Sequence, residues 1–125
     1  MKKITKEMIK LYNMKDYDFM GYSLQKEPQF HHIVKKEHGG KYEIKNGAIL
    51  NSSSHNYIHT IEYKEYMIYK AINDIFKIMN KKGYLDIEDL KIINALLEEF
   101  EYYHKEDKNS KGKILIKPEY YERNF

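Results

Sequence analysis

From Ile58 onward, apolar residues recur at helical spacing: Ile58, Ile61, Ile68, Ile72, Ile75 and Met79, then Leu90, Ile93, Leu97 and Phe100. A period near 3.6 residues lines such side chains along one helix face. The second half of the chain therefore reads as helices that must cover these stripes. Asn51 to Ser54 offer several caps for the first helical region, which is either continuous or broken near Thr60 to Tyr63. Lys82-Gly83 marks its stop. Asp86 caps the last helix, with acidic residues in the first turn.

The first half follows another pattern. Ile4, Met8, Leu11 and Tyr12 fit a short helix over residues 4–13. Residues 14–28, with Gly21 and Pro28, read as loop, alone or with a short extended piece. The run "QFHHIV" suits a strand, "EHGGKYEIKNG" a loop, and "AIL" a second short strand. Residues 29–50 thus form a hairpin with a long connection. The tail after residue 107 is basic and holds one short β-like run, Ile114 to Ile116. At 125 residues, with no internal repeat, the chain is one α+β domain.

Cysteine is absent, which excludes disulfides and thiolate metal sites and fits a reducing compartment. No apolar run approaches ~18 residues, and the basic start lacks the apolar centre of a signal peptide. A cytoplasmic protein without membrane spans is the expectation. The net charge is only +3, so charge alone does not announce a nucleic-acid partner. Lysines nevertheless cluster, at Lys35, Lys36, Lys41 and Lys45 and again at Lys105, Lys108, Lys111, Lys113 and Lys117. Such groups either neutralise phosphates or simply solvate a surface. The thirteen tyrosines either fill a small core or stack on bases.

Five of the six histidines fall between His31 and His59. His31 and His32 sit on a strand and point to opposite faces. His55 and His59 sit one turn apart on one helix face. A His-x-x-x-His pair with a third ligand from a neighbouring strand makes a three-histidine set that leaves metal positions open, as catalytic sites do. Asn46 ends the loop that follows His32, where its amide can pin the loop through backbone hydrogen bonds. His38 reads as a solvated loop residue, and His104 as a charge partner at a helix C-terminus.

In order, His31-His32, Gly39-Gly40, Asn46, Leu50, His55 and His59 closely resemble an HNH endonuclease motif, over residues 17–62. The all-histidine set is similar to that of colicin-type nucleases. The resemblance implies a ββα-metal hairpin–helix core over about 17–62, extended by packed helices over 63–107 and a basic tail over 108–125. It also implies roles: His31, His55 and His59 as ligands of one divalent ion (Mg²⁺, Mn²⁺, Ni²⁺ or Zn²⁺), His32 as general base, and Asn46 as the residue that holds the loop and orients His32. DNA is the implied substrate, hydrolysed at its phosphodiester bonds, and nothing in the motif distinguishes it from RNA.

Two departures stand out. Many HNH proteins frame the site with a zinc held by two Cys-x-x-Cys pairs, whereas Tyr17, Met20, Asn51 and Ser54 occupy those places here. No structural zinc is expected, and packing around Tyr17, Met20 and the long helices must replace it. The customary proline after the histidine pair is Lys35. Lys35, Lys36 and Lys41 border the expected site, as phosphate contacts or as solvated loop residues. The apolar helices are also a candidate homodimer face. The rival expectation is a catalytically inactive HNH scaffold, acting as a nucleic-acid-binding, regulatory or inhibitor protein of a mobile element or phage.

Overall fold

A short antiparallel hairpin lies at the centre of the chain in a computed structural model, which describes residues 1–24 and 27–105. Its strands are β1 (Gln29–His32) and β2 (Gly47–Leu50), paired Gln29 to Leu50, Phe30 to Ile49, His31 to Ala48 and His32 to Gly47. Four helices complete the α+β fold: α1 (Lys3–Leu11), α2 (Ser52–Lys64), α3 (Tyr66–Lys82) and α4 (Ile87–Tyr103). Among the described residues, no helix is long and apolar enough to cross a membrane. The expected β-like run at Ile114 to Ile116 lies outside the described residues.

Strand alternation assigns the two faces of the hairpin. His31 points toward α2 and α3, where its ring meets those of His55, His59 and Phe76. Phe30 and His32 share the opposite face, which α1 covers through Met8. A side chain at Gly47 would lie 2.3 Å from the Phe30 ring, so this position must stay bare for Phe30 to pack.

The helical stripes are covered within the chain. Ile68, Ile72 and Met79 of α3 are buried, as are Leu90, Ile93, Leu97 and Phe100 of α4, and α3 packs against α2, α4 and β2. Gly83 ends α3 in the left-handed region at φ 81°, as Lys82-Gly83 signalled, and the Asp86 side chain caps α4. The break between α2 and α3 falls at Glu65, beyond the expected Thr60 to Tyr63. No glycine or proline makes it. Glu65 turns the chain with an extended φ of −144°, and its carboxylate accepts a hydrogen bond from His104 Nε2 at the end of α4. That His104 contact is a cross-helix pair.

The turn at Tyr17 to Leu24 is joined to the start of α2 by one carboxylate. Asp18 is fully buried. Its Oδ1 accepts from the Met20 and Tyr22 N–H groups at 2.9 and 3.0 Å, and its Oδ2 from the Asn51 N–H at 3.1 Å. Asn51 returns the link by donating its amide to the Ser23 carbonyl, while its own oxygen caps α2 at Ser54. The join therefore spans the two segments that hold Tyr17, Met20, Asn51 and Ser54. Packing is only part of what ties them together; a hydrogen-bonded carboxylate does the rest.

Burial pushes the Asp18 carboxyl up from 3.8 to about 6, against the pull of its backbone donors. A raised carboxyl favours the folded state most below its unfolded value and loses that contribution as pH rises through the folded value. The stability of Asp18→Asn relative to wild type should therefore improve by roughly 2–3 kcal/mol between about pH 4 and pH 7. Asp18→Ala, which strands three buried N–H groups, should cost about 3 kcal/mol or more at every pH. Denaturant titrations across this range measure both, and a flat difference between wild type and Asp18→Asn would contradict the assignment.

Candidate metal centre

Three imidazoles converge where the hairpin meets α2. One ring nitrogen from each of His31, His55 and His59 lies within 4.8 Å of the other two, a grouping that could hold a metal ion. Ring centroids are 5.6 Å apart from His31 to each of the others and 5.0 Å apart between His55 and His59. His31 is buried, His55 intermediate and His59 exposed, so the cluster grades from core to solvent. The strand supplies the first ring and one turn of α2 the other two.

Each ring has one nitrogen held by an oxygen. His31 Nε2 lies 2.9 Å from Asn73 Oδ1, His55 Nδ1 lies 2.7 Å from Gln29 Oε1, and His59 Nδ1 lies 2.9 Å from Glu62 Oε1. An amide or carboxylate oxygen only accepts, so the facing ring nitrogen must carry the proton. This leaves lone pairs on His31 Nδ1 and on Nε2 of both His55 and His59. Oxygen partners of this kind fix the tautomer and orientation of metal-binding histidines. Asn73 is itself fixed, because its amide donates to the Ile33 carbonyl.

The electrostatics favour neutral rings. Burial lowers His31 from 6.5 to about 3, assisted by the neighbouring His55 and His59 and opposed by Asn73. Burial and the proximity of His59 and His32 lower His55 to about 4. Near pH 7 both rings thus offer a lone pair without first losing a proton. This donor set suits Zn²⁺ or Ni²⁺ by ligand type more than Mg²⁺ or Mn²⁺.

His32 lies across the strand from this cluster but shares its opening. A cleft of about 300 Å³ is lined by Phe30, His31, His32, Lys35, His55 and His59, among others. The rings of Phe30 and Tyr42 meet His32 edge-on at 5.0 and 4.7 Å. Its Nε2 is shielded and has no hydrogen-bond partner among the described residues. Desolvation lowers its pKa, helped by the charges of Lys36 and Lys2.

Asn46 closes the loop as its position suggested. Its Oδ1 accepts from the Val34 N–H at 2.8 Å, and its Nδ2 donates to the carbonyls of Val34 and Lys41 at 3.0 and 3.1 Å. Its own carbonyl accepts from the Ile33 N–H at 2.9 Å. Gly40 lets the loop cross itself, since a Cβ there would fall 1.7 Å from the Val34 carbonyl oxygen.

The three bordering lysines separate. Lys35 lines the cleft, but Glu62 on α2 engages its ammonium, and this pairing raises its pKa. Lys36 is exposed on the rim. Lys41 also faces solvent, and its side chain lies outside the 300 Å³ cleft. His38 is exposed, as expected. Sequence reasoning missed Gln29, Glu62 and Asn73. Glu62 follows His59 by three residues and Gln29 precedes His31 by two, so their spacing carried a signal. Asn73 is forty-two residues from His31 and carried none.

Comparisons with protein-family models, with curated proteins and with solved structures find no match to this chain.

If Asn73 orients His31, Asn73→Ala should weaken divalent-metal binding about 10- to 100-fold. Calorimetric titration with Ni²⁺ or Zn²⁺ measures this. Wild-type affinity in the variant would place the amide outside the set of groups that tune the centre.

Proposed function

We propose that the protein is a metal-dependent HNH-type endonuclease, with the hairpin and α2 as its ββα-metal core. The observation that carries this reading is the convergence of His31, His55 and His59 beside a cleft that His32 also lines. The ordered motif, Asn46's closure of the loop and the three oxygens that hold the rings support the same reading. A bound divalent ion would neutralise charge on the phosphodiester and on its leaving oxygen.

The chain's own residues supply the rest. His31, His55 and His59 hold the ion, with their orientation set by Asn73, Gln29 and Glu62. His32 is kept neutral by its surroundings and accepts a proton from the attacking water. Asn46 ties the loop after β1 to the start of β2 and so fixes the backbone that carries His32. Lys36, on the rim, is placed to meet a phosphate flanking the scissile one. Lys35 steadies the rim through Glu62, a positioning part more than a phosphate contact.

One observation favours a second reading. His32 Nε2 is shielded from solvent, which suits a metal- or nucleic-acid-binding scaffold that does not cut. The two readings part in one assay. Purified protein with Mg²⁺, Mn²⁺, Ni²⁺ or Zn²⁺ should nick plasmid DNA, and EDTA should abolish the activity. His32→Ala should lose about 10²-fold or more in rate while keeping its metal affinity, whereas His55→Ala should lose metal affinity as well. Equal rates in wild type and His32→Ala would remove His32 as the base, and no cleavage with any of these ions would favour the scaffold.

A further inference from the structure

Beside the histidine cleft lies a larger one, of about 950 Å³. Lys2, Glu27, Gln29, Phe30, Tyr42 and His55 contribute to its lining. Phe30 and His55 line both clefts, so the two adjoin along β1. This volume falls in the ~300–1,000 Å³ range of clefts that enclose small organic ligands. We infer that it receives one unstacked nucleobase of a single nucleic-acid strand, next to the phosphate at the histidines. Its placement beside that phosphate rests on the nuclease reading above.

The chemistry of the lining selects this ligand. Tyr42 is 39 % exposed and stacks on Phe30, with centroids 4.7 Å apart and planes at 25°. Phe30 is buried, so the Tyr42 ring, which lines the cleft, rests on a fixed support, and a base that stacks on it displaces the exposed Lys2 ammonium now over the ring. An aromatic surface accepts any base by its π-face. Lys2 Nζ donates to the Tyr42 hydroxyl at 2.7 Å and lies 4.5 Å from the ring centroid. Lys2 is exposed, and its ammonium can turn to a phosphate without stranding a buried partner. Glu27 would repel a phosphate but accepts from a base amino group, and Gln29 can add a hydrogen bond to a base edge. Aromatic surface, cation and hydrogen-bonding edge thus match the base, phosphate and base edge of one nucleotide.

A duplex cannot use this cleft at the same cost. Its bases are stacked on both faces, and freeing one requires unpairing and unstacking. The cleft therefore makes single strands, loops and frayed ends the preferred ligands.

The test reads binding without cleavage. A short single strand carrying 2-aminopurine, and a blunt duplex of the same sequence, are titrated with the full chain in EDTA. Wild type should quench the fluorophore in the single strand and bind it more tightly than the duplex. Tyr42→Ala should weaken single-strand binding about tenfold or more and abolish the quench, while Tyr42→Phe should restore both. Lys2→Met should lower the salt dependence of binding by about one released ion. Tyr42→Ala binding and quenching like wild type would overturn the inference, as would equal affinity for duplex and single strand. Plasmid cleavage alongside either of those results would leave the nuclease reading standing and remove only the cleft. Tyr42-dependent quenching without cleavage would support the cleft and count against the nuclease reading.

Discussion

The buried carboxylate of Asp18 is the link on which the placement of the site depends. Two of its hydrogen bonds close the turn at residues 18–22, and the third reaches the backbone where α2 begins. Asn51, at that junction, also accepts the His55 N–H in the first turn of the helix. The angle at which α2 leaves the hairpin, and so the direction of His55 and His59, follows from this join. On the proposed reading, the same two segments would be crosslinked by zinc in other HNH proteins. A carboxylate surrounded by backbone donors does comparable work with no sulfur. Its cost is the desolvation of a charge, which the raised pKa records.

The histidine cluster has its own balance. Burial disfavours protonation of His31 and His55, and neighbouring rings 5.0–5.6 Å away add to this. Three separate oxygens hold one nitrogen of each ring, one each from α3, β1 and α2. The resulting lone pairs need a donor or a cation. The anchoring groups are themselves shared: Glu62 serves both His59 and Lys35, and Asn73 both His31 and the Ile33 carbonyl.

Much of this was legible in the residues. The 3.6-residue stripes located the helices, Gly83 and Asp86 marked an end and a start, and strand alternation separated His31 from His32. The convergence of His31 with His55 and His59 followed from placing a helical pair beside a strand. What stayed hidden depends on partners distant in sequence. Asp18, in a loop without periodicity, gives no sign of meeting Asn51. Asn73 occupies an ordinary polar position on α3 until the helix folds against β1. Lys35 read as free because Glu62, twenty-seven residues on, could not be paired with it in advance. The corner at Glu65 was placed a few residues early, since an extended non-glycine residue leaves no compositional mark.

The segment from Val34 to Asn46 is long enough to serve as a lid, yet its bonding makes it a brace. Asn46 grips both ends of the crossing, Gly40 donates to the Lys35 carbonyl, and two 3₁₀ turns take up much of the remainder. Its ordering entropy is thus spent during folding, so a docking partner meets a preorganised wall. Discrimination at this edge of the molecule then comes from static fit, and association needs no slow closing motion before contact is complete.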